Sequence, residues 1–365
     1  MKKMNFIVLL LISILVNTAC QNTKGNDDKQ LIDKVIQWQI ENINQVDTFS
    51  DLHWTRAALY RGMVEWADYT QSESLYKYLY EIGERNNWDM LPRIYDADDL
   101  CISQTYIKLY YKYLEARMIE KCIERFDTVI ANPMTMSLSV ATNGKYNRDR
   151  WGWCDALFMA PPVYAMISLL EDNPKYLNYA IGEFEVTTDS LYNREDQLFY
   201  RDLRWVGRFD ESGIKIYWGR GNGWVHAGLV FMLQYTPESD PSYPYFLTLY
   251  KEMSEAILAC QSENGSWHTS LWDAESYPEP ENSASGFFTY GLAWGVNNGI
   301  LTEAKYEEGA KKGWAALKSH VNKDGKLGYV QPVGHAPYAN LTADMTHVYG
   351  VGAFLLAATE MCKMK

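Results

Sequence analysis

Histidine, cysteine and excess positive charge are all scarce in this sequence. Six histidines and six cysteines occur among 365 residues, and no two cysteines form a C-x-x-C pair. This irregular spacing predicts buried thiols and no metal site for the five that follow the N-terminal region, Cys101, Cys122, Cys154, Cys260 and Cys362. The formal net charge of −12 argues against a nucleic-acid partner, because phosphate binding requires a clustered basic face. A small anionic substrate remains compatible with that charge if a few buried Arg or Lys bind it locally.

Linkers rich in proline and serine are also missing, and no sequence signature repeats at a fixed period. These absences predict one domain over residues 28–365 and disfavour a repeat solenoid. A hydrophobic content of 47% in a chain of this length is enough to build a large core.

The N-terminus has the features of a targeting segment. Two lysines precede the apolar run from Phe6 to Val16, which is too short to span a bilayer and has the length of a signal-peptide core. Cys20 follows two small residues, as at a bacterial lipoprotein cleavage site. Asn17 stands where leucine is usual, which keeps plain secretion as the alternative.

We therefore expect a signal peptide over residues 1–19, lipidation of Cys20 and a polar tether over residues 20–27. Removal of two lysines and no acids changes the formal charge from −12 to −14. The expected location is the periplasm or cell surface of a Gram-negative-type bacterium, with membrane attachment through the lipid anchor only.

The rest of the chain is helical in pattern. Apolar periodicity near 3.6, broken at Gly, Pro and Asn, predicts twelve helices at about 31–46, 54–69, 72–86, 98–113, 115–131, 153–171, 174–192, 222–235, 243–261, 283–298, 302–321 and 343–361. The even-numbered helices are apolar or small on nearly every face, whereas the odd-numbered ones have a charged face. This alternation predicts an all-α fold, an (α/α)6 barrel in which six hairpins supply an inner and an outer ring.

Aromatic residues are abundant, with 13 Trp and 27 Tyr. Their flat apolar faces stack on sugar rings, although a large core would also use them.

Acidic residues and a glycine-rich motif lie where the inner helices are predicted to begin. Asp98 and Asp99 open the fourth helix, Asp155 lies near the start of the sixth, and "WGRGNGW" opens the eighth. If the inner helices run parallel, these ends line one mouth of the barrel, where helix dipoles and free N–H groups favour anions. We expect the functional site at this mouth.

Asp155 has two interpretations. It is a helix cap, or it is a general acid/base whose pKa is raised by the surrounding apolar residues of "WGWCDALFMAPP". Asp96, Asp98 and Asp99 in "YDADDLC" likewise form a solvated turn or supply a second carboxylate.

Two motifs together, "WGWCDALFMAPP" and "WGRGNGW", resemble those of glycoside hydrolase family 105, the unsaturated rhamnogalacturonyl and glucuronyl hydrolases. The resemblance covers nearly all of the chain after the N-terminal region. It implies an (α/α)6 barrel, no metal or other cofactor, and an acidic unsaturated oligosaccharide as substrate. Family members remove the terminal 4,5-unsaturated uronic acid that a polysaccharide lyase leaves. An Asp protonates the C4=C5 double bond and activates water for attack at C5.

Site residues follow from the resemblance position by position. The catalytic Asp matches Asp155, and a second family Asp falls at Asp98 or Asp99. Residues implied to contact the sugar are Trp153, Trp218, Arg220 and Trp224, with Arg220 as the candidate for holding the uronate or its hydroxyls.

One departure from the family concerns Arg201. Family members often have histidine in the segment that reads "LFYRDLRW" here. Arginine cannot accept a proton, so Arg201 is expected to act as a fixed donor or cation at the substrate.

Other positions keep a structural interpretation. His226 and His347 fall inside helices and are expected in the core or the barrel wall. Tyr329, Gln331 and His335 belong to a rim loop that either contacts the leaving sugar or is an ordinary loop.

Two other functional classes remain open. One is a two-carboxylate glycosidase acting on saturated glycans, and the other is a non-catalytic glycan-binding lipoprotein.

Overall fold

The computed structural model describes residues 27–142, 145–146 and 148–364. The predicted signal peptide and Cys20 lie outside the described residues. Fourteen α-helices occur in the described ranges: α1 (27–46), α2 (Trp54–Thr70), α3 (Glu73–Arg85), α4 (Ala97–Leu100), α5 (Ser103–Tyr113), α6 (Glu120–Ala131), α7 (Ala156–Met159), α8 (Pro161–Leu170), α9 (Pro174–Leu191), α10 (Gly219–Tyr235), α11 (Tyr243–Ala259), α12 (Asn282–Asn297), α13 (Ala304–Ser319) and α14 (Val348–Lys363). A 3-10 turn, Ala116–Met118, precedes α6.

The inner helices form a closed ring. Each inner helix contacts the next one around the ring, in the order α2, α5, α8, α10, α12 and α14. The last of these, α14, contacts α2 again. Outer helices cover this ring from outside: α3 packs on α2 and α5, α9 on α8, α11 on α10, and α13 on α12. The predicted all-α (α/α)6 barrel is confirmed, and the helices predicted to be inner are the ones in the ring.

Two inner helices are interrupted where the sequence predicts one continuous helix. The fourth predicted helix splits into α4 and α5, and the sixth splits into α7 and α8. Pro161 begins α8 because proline has no N–H to donate to the preceding turn and is favoured at the first helical position. Each split leaves a short four-residue helix at the N-terminal end of the barrel wall.

Glycines allow the inner helices to approach one another closely. A Cβ atom on Gly62 of α2 would lie 2.3 Å from the carbonyl oxygen of Gly352 on α14, and one on Gly352 would lie 2.3 Å from the Ala58 carbonyl. The two backbones are thus in direct contact, which closes the ring between its first and last inner helices.

Strands are few in the described ranges. β1 (Ala141–Thr142) pairs with β2 (Lys145–Tyr146), and β3 (Tyr192–Asn193) pairs with β4 (Leu198–Phe199), both antiparallel. Within the described parts of the chain, no helix is both long and apolar enough to cross a bilayer.

The predictions for the other histidines and for the cysteines are met only in part: Cys260 and Cys362 are partly exposed, and His347 lies just before α14 rather than inside it. His226 is fully buried on α10 and hydrogen bonds the Ser254 hydroxyl at 3.0 Å. His347 caps α14 and stacks on Tyr349, with ring centroids 4.3 Å apart. The five described cysteines are all free thiols, three of them buried.

Candidate active site

A cavity of about 230 Å³ lies where several inner helices begin. It is lined by Trp54, Asp98, Arg148, Trp153, Asp155, Met159, Arg201, Val333, Gly334 and His335. These residues come from the starts of α2, α4 and α7, from the segments before α7 and before α10, and from the loop before α14. We call this the catalytic cavity.

A larger cavity, of about 840 Å³, lies at the opposite ends of α10, α12 and α14. It contains none of the residues that the sequence singles out. Its buried carboxylate, Glu360, is already bonded to Asn297 and Lys363. We place the chemistry in the smaller cavity, because two carboxyl groups and two guanidinium groups converge there.

Asp98 is held in place by a helix cap. Asp96 begins α4, and its carboxylate accepts the backbone N–H of Asp98 at 3.0 Å. The Asp98 side chain then forms an ion pair with Arg148. Burial raises the pKa of Asp98 above its ordinary value; Arg148 opposes this rise, and the Asp155 carboxylate adds to it. Asp98 and Asp155 are therefore close enough to influence each other.

Asp155 lies immediately before α7 and is not a side-chain cap in this structure. Its Oδ2 lies 3.6 Å from Arg201 Nε and accepts the Cys154 thiol at 3.6 Å. The capping interpretation is thus not supported, and the carboxyl faces the cavity.

Arg201 is fixed by a neighbouring acid. Its guanidinium nitrogen Nη1 donates to the Asp202 carboxylate at 2.6 Å. Arg204 donates to the same carboxylate through Nε at 2.9 Å and through Nη2 at 2.8 Å. Burial alone would raise the pKa of Asp202. The hydrogen bonds from Arg204 and Arg201 outweigh this effect and hold the pKa below its usual value. Arg201 Nε is buried and has no hydrogen-bond acceptor within the described structure. Arg201 is therefore a cation held rigidly in the cavity wall, with its Nε beside the Asp155 carboxylate.

Arg148 is a site residue that sequence reasoning missed. Its guanidinium lies over the Trp153 ring, 5.1 Å from the centroid, and pairs with Asp98. A cation on an indole face is a stable arrangement that also presents N–H groups at the ring edge. The available signal was a run of arginines directly before the tryptophan motif, in "NRDRWGW".

The rim loop and the start of α2 add further cavity residues. His335 lines the catalytic cavity, so of the three rim-loop candidates this one reaches the site. Trp54, which sequence reasoning also missed, stacks on Tyr349 at 5.4 Å. Gln331 is buried, where its side-chain oxygen accepts the Trp218 indole N–H at 3.0 Å. Tyr329 packs on His320 instead.

Asp99 does not belong to the catalytic cavity. It is fully buried, and its carboxylate accepts the backbone N–H and the guanidinium of Arg93. Adjacent residues on a helix point about 100° apart, so only one of Asp98 and Asp99 can face the cavity. The structure thus corrects the expectation that Asp99 could be the second acid.

The motif "WGRGNGW" lies behind the cavity wall. Arg220 is fully buried and donates to the carbonyls of Gln331 at 2.8 Å and Pro332 at 3.0 Å and to the Tyr349 hydroxyl at 3.2 Å. Trp224 packs between Phe158 and Phe287.

The expected sugar contacts of Arg220, Trp218 and Trp224 are therefore corrected. Arg220 and Trp218 hold the loop that carries Val333, Gly334 and His335 into the cavity, while Trp224 is core. A fully buried side chain that is already bonded to protein carbonyls cannot also contact a ligand in this conformation.

The site combines general acid/base groups with anion recognition. Two carboxyls lie beside two arginines and two tryptophans at helix N-terminal ends, where partial positive charge favours anions. Across the described ranges, no group of His, Cys, Asp and Glu side chains is arranged to hold a metal ion. The arrangement suits proton transfer to an anionic sugar.

Comparison with known proteins gives a consistent result. The model of Glycosyl Hydrolase Family 88 matches residues 31–365. An unsaturated 3S-rhamnoglycuronyl hydrolase from Alteromonas sp. (strain LOR) is 38% identical, with 91% of this chain and 85% of that protein covered. The solved structure of a family 88 glycosyl hydrolase from Bacteroides vulgatus superposes with a TM-score of 0.82 at 30% identity, covering 93% of this chain and 99% of the other.

A more distant structure bears on the resemblance to family 105. A family 105 glycoside hydrolase from C. acetobutylicum shares the fold, with a TM-score of 0.72 at 20% identity and coverage of 91% and 98%. That structure shows the shared fold alone. The resemblance to the unsaturated uronyl hydrolases is confirmed by the family 88 model and by the Alteromonas relative.

Proposed function

The chain belongs to glycosyl hydrolase family 88, and from this premise we propose that it removes a terminal 4,5-unsaturated uronic acid, of galacturonic or glucuronic type, from lyase-generated oligosaccharides. The observation that carries this proposal is the placement of Asp98 and Asp155 beside Arg148 and Arg201 in one cavity. The name of the Alteromonas relative, an unsaturated 3S-rhamnoglycuronyl hydrolase, supports the same substrate class.

Recognition of the uronate follows from the two arginines. A guanidinium presents several N–H groups in a plane and binds a carboxylate more specifically than an ammonium does. Arg201 lines the catalytic cavity and is held rigid by Asp202, so we assign it the carboxylate or a ring hydroxyl. Trp153 supports Arg148 and, with Trp54, supplies the apolar wall against which the sugar ring packs.

Asp155 is assigned the proton transfer. The protonated carboxyl donates to C4 of the substrate, which leaves positive charge shared between C5 and the ring oxygen. Water adds to C5 and returns a proton to the Asp155 carboxylate. The hemiketal then opens at the bond between C5 and the ring oxygen, which leaves a ketone at C5 and a hydroxyl at C1. The resulting hemiacetal at C1 breaks its bond to the glycosidic oxygen, so that C1 becomes an aldehyde and the leaving sugar departs as an alcohol.

Asp98 is assigned an electrostatic role. It is held by its helix cap and by Arg148, so its position does not depend on the substrate. Burial raises the pKa of Asp98, and the Arg148 ion pair opposes that rise and favours the carboxylate. An ionised Asp98 would stabilise the positive charge that develops at C5, and preorganised charge of this kind lowers a reaction barrier.

The test is a panel of lyase-generated oligosaccharides, followed by loss of the ultraviolet absorbance of the unsaturated uronide. We expect turnover of at least one member, no cleavage of its saturated analogue, and one deuteron at C4 of the product in heavy water. Comparable cleavage of the saturated analogue, with C4 unlabelled, would identify an ordinary two-carboxylate glycosidase instead. Binding without turnover across the panel would identify a glycan-binding protein.

The proposed location rests on the N-terminal sequence alone. A signal peptide followed by Cys20 supports a lipoprotein held at a membrane surface in the periplasm or on the cell exterior. Such a location suits an enzyme that receives oligosaccharides from an extracellular or periplasmic lyase.

A further inference from the structure

A third cavity, of about 310 Å³, opens beside the catalytic cavity. We call it the rim cavity. Its lining residues are Arg204, Trp205, Arg208, Phe209 and Ile216. All of them belong to the segment between Asp202 and Tyr217, which the proposed chemistry does not use.

The segment is a folded hairpin. Phe209 pairs with Lys215 across the hairpin, and the Ile216 N–H donates to the Arg208 carbonyl at 3.2 Å. At its base, the Lys215 amine donates to Asp196 at 2.6 Å. The rim cavity is therefore built on a hydrogen-bonded scaffold before any ligand arrives.

Two contacts connect the rim cavity to the catalytic cavity. The Trp205 ring lies 6.2 Å from the ring of His335, which lines the catalytic cavity. Arg204 and Arg201 share the carboxylate of Asp202. When the unsaturated uronide is bound beside Asp155, the sugar attached to it would therefore lie against Trp205.

The lining of the rim cavity combines aromatic surface with positive charge. Phe209 is 56% exposed, so its ring face is accessible to a ligand. Arg208 donates through Nε to the Arg204 carbonyl at 3.1 Å. The two terminal guanidinium nitrogens of Arg208, Nη1 and Nη2, make no hydrogen bond or ion pair with any residue in the described part of the chain. Aromatic faces pack on sugar rings, and a guanidinium fork binds sulfate or carboxylate oxygens.

We propose that the rim cavity binds the sugar to which the unsaturated uronide is attached, and that Arg208 selects leaving sugars carrying an anionic substituent, either a sulfate ester or a carboxylate. The inference rests on the proposed function and adds the chemistry of the leaving group to it. Trp205 and Phe209 supply the ring contacts, and Arg204 is occupied by Asp202.

The test compares three unsaturated disaccharides that differ only in the leaving sugar: neutral, sulfated and carboxylated. The wild-type enzyme should prefer one or both of the anionic substrates, and the arm that responds identifies which anion is recognised. Arg208→Gln should lower kcat/KM for that substrate about tenfold, mainly through KM, because it removes a charge-assisted hydrogen bond to the anionic group. Its kcat/KM for the neutral substrate should change by less than about twofold.

Two further variants make the result specific. Phe209→Ala should raise KM for all three disaccharides, because ring contacts do not depend on charge. Lys77→Gln removes the same charge from an outer helix, at a side chain that is 78% exposed, and should leave all three substrates unaffected. High salt should weaken the anionic preference of the wild type, because the pair is exposed.

Failure of this inference can be told apart from failure of the proposed function. Equal loss on all three substrates with Arg208→Gln, or no anionic preference in the wild type, would overturn the selectivity while leaving uronide cleavage intact. If no unsaturated disaccharide is cleaved, calorimetric titration with a methyl glycoside sulfate and its unsulfated parent still tests the rim cavity. Binding of the sulfate that is lost in Arg208→Gln supports the inference, and equal binding by both proteins overturns it.

Discussion

Asp98 and Asp155 occupy the same cavity but differ in how their charge is compensated. Asp98 is in direct ion-pair contact with Arg148 and is fixed by the cap at Asp96. Asp155 faces Arg201 across 3.6 Å, which is too long for a hydrogen bond. Because the ion pair of Asp155 with Arg201 is longer than that of Asp98 with Arg148, Asp155 is the carboxyl that exchanges a proton with the substrate at the smaller electrostatic cost.

Asp155→Asn should therefore reduce kcat by about 10² to 10⁴, the usual contribution of a general acid/base. The amide keeps the shape of the side chain, so the unfolding transition and substrate binding should change little. Steady-state kinetics and urea unfolding are the measurements, with Asp324→Asn in an exposed loop as the control. Retention of more than about a tenth of the wild-type kcat would contradict the assignment.

Arg220→Lys should raise KM several-fold while kcat falls less. A lysine ammonium cannot reproduce the planar fork that holds the carbonyls of Gln331 and Pro332, so the loop carrying His335 into the catalytic cavity should lose order. Kinetics on an unsaturated disaccharide, with urea unfolding measured in parallel, separates loss of loop order from global destabilisation. Wild-type KM in a normally folded variant would mean that other contacts hold the loop.

At the scale of single elements, the cap of α4 makes stability depend on pH. Burial and the neighbouring Asp98 raise the pKa of Asp96 from 3.8 to about 7. In this interval the folded protein binds a proton that the unfolded chain has lost, so stability should fall as the pH rises from about 4 to about 7. Above pH 7 both states are ionised and the loss is complete.

Asp96→Asn should remove this pH dependence while keeping an oxygen that accepts the Asp98 N–H. The unfolding free energy of the wild type, relative to the variant, should fall by a few kcal/mol between pH 4 and pH 7, since one pKa unit corresponds to about 1.4 kcal/mol. Urea unfolding of both proteins across that range measures the difference. Parallel pH profiles would show that Asp96 does not titrate in this window.

The contact between α2 and α14 gives a second prediction for elements. Gly62→Ala would place a Cβ atom 2.3 Å from the Gly352 carbonyl oxygen, and relief requires the two helix backbones to separate. We expect a loss of about 1–3 kcal/mol of unfolding free energy.

Gly182→Ala on outer helix α9 is the matched control, because no atom lies within 4 Å of its Cβ position. Alanine favours helix over glycine by up to about 1 kcal/mol, so this variant should be slightly stabilised. Equal effects of the two substitutions in thermal or urea unfolding would refute the close-packing argument.

At the scale of the whole molecule, surface charge bears on the lipid anchor that we propose. Processing before Cys20 would give a formal charge of −14, which repels anionic headgroups, so the proposed membrane attachment would depend on a lipid on Cys20 rather than on surface electrostatics. In a Gram-negative host, the wild type should incorporate labelled palmitate and fractionate with membranes. Cys20→Ala should lose both properties, and Cys362→Ala should keep them. Equal labelling of Cys20→Ala would rule out lipidation at this position.

The ring architecture was readable from the sequence, because an inner helix is buried on every side and an outer helix on one. The segments "GWVHAGLVFMLQY" and "SASGFFTYGLAWGV" have almost no charged residue, and they form the buried walls α10 and α12. The motif containing Asp155 was also sufficient to place one carboxyl at a helix start. These features depend on burial periodicity, which is a local property of the chain.

Tertiary structure alone decided which of the neighbouring groups face the cavity. Asp98 and Asp99 are equivalent in sequence, and only the direction of α4 brings one to Arg148 and the other to Arg93. Arg220 has the local pattern of a ligand-binding arginine, yet the loop before α14 occupies its donors. The contacts of Asp98 with Arg148 and of Arg220 with the loop join residues 50 to more than 100 positions apart, and no local pattern encodes the direction from which a distant segment returns.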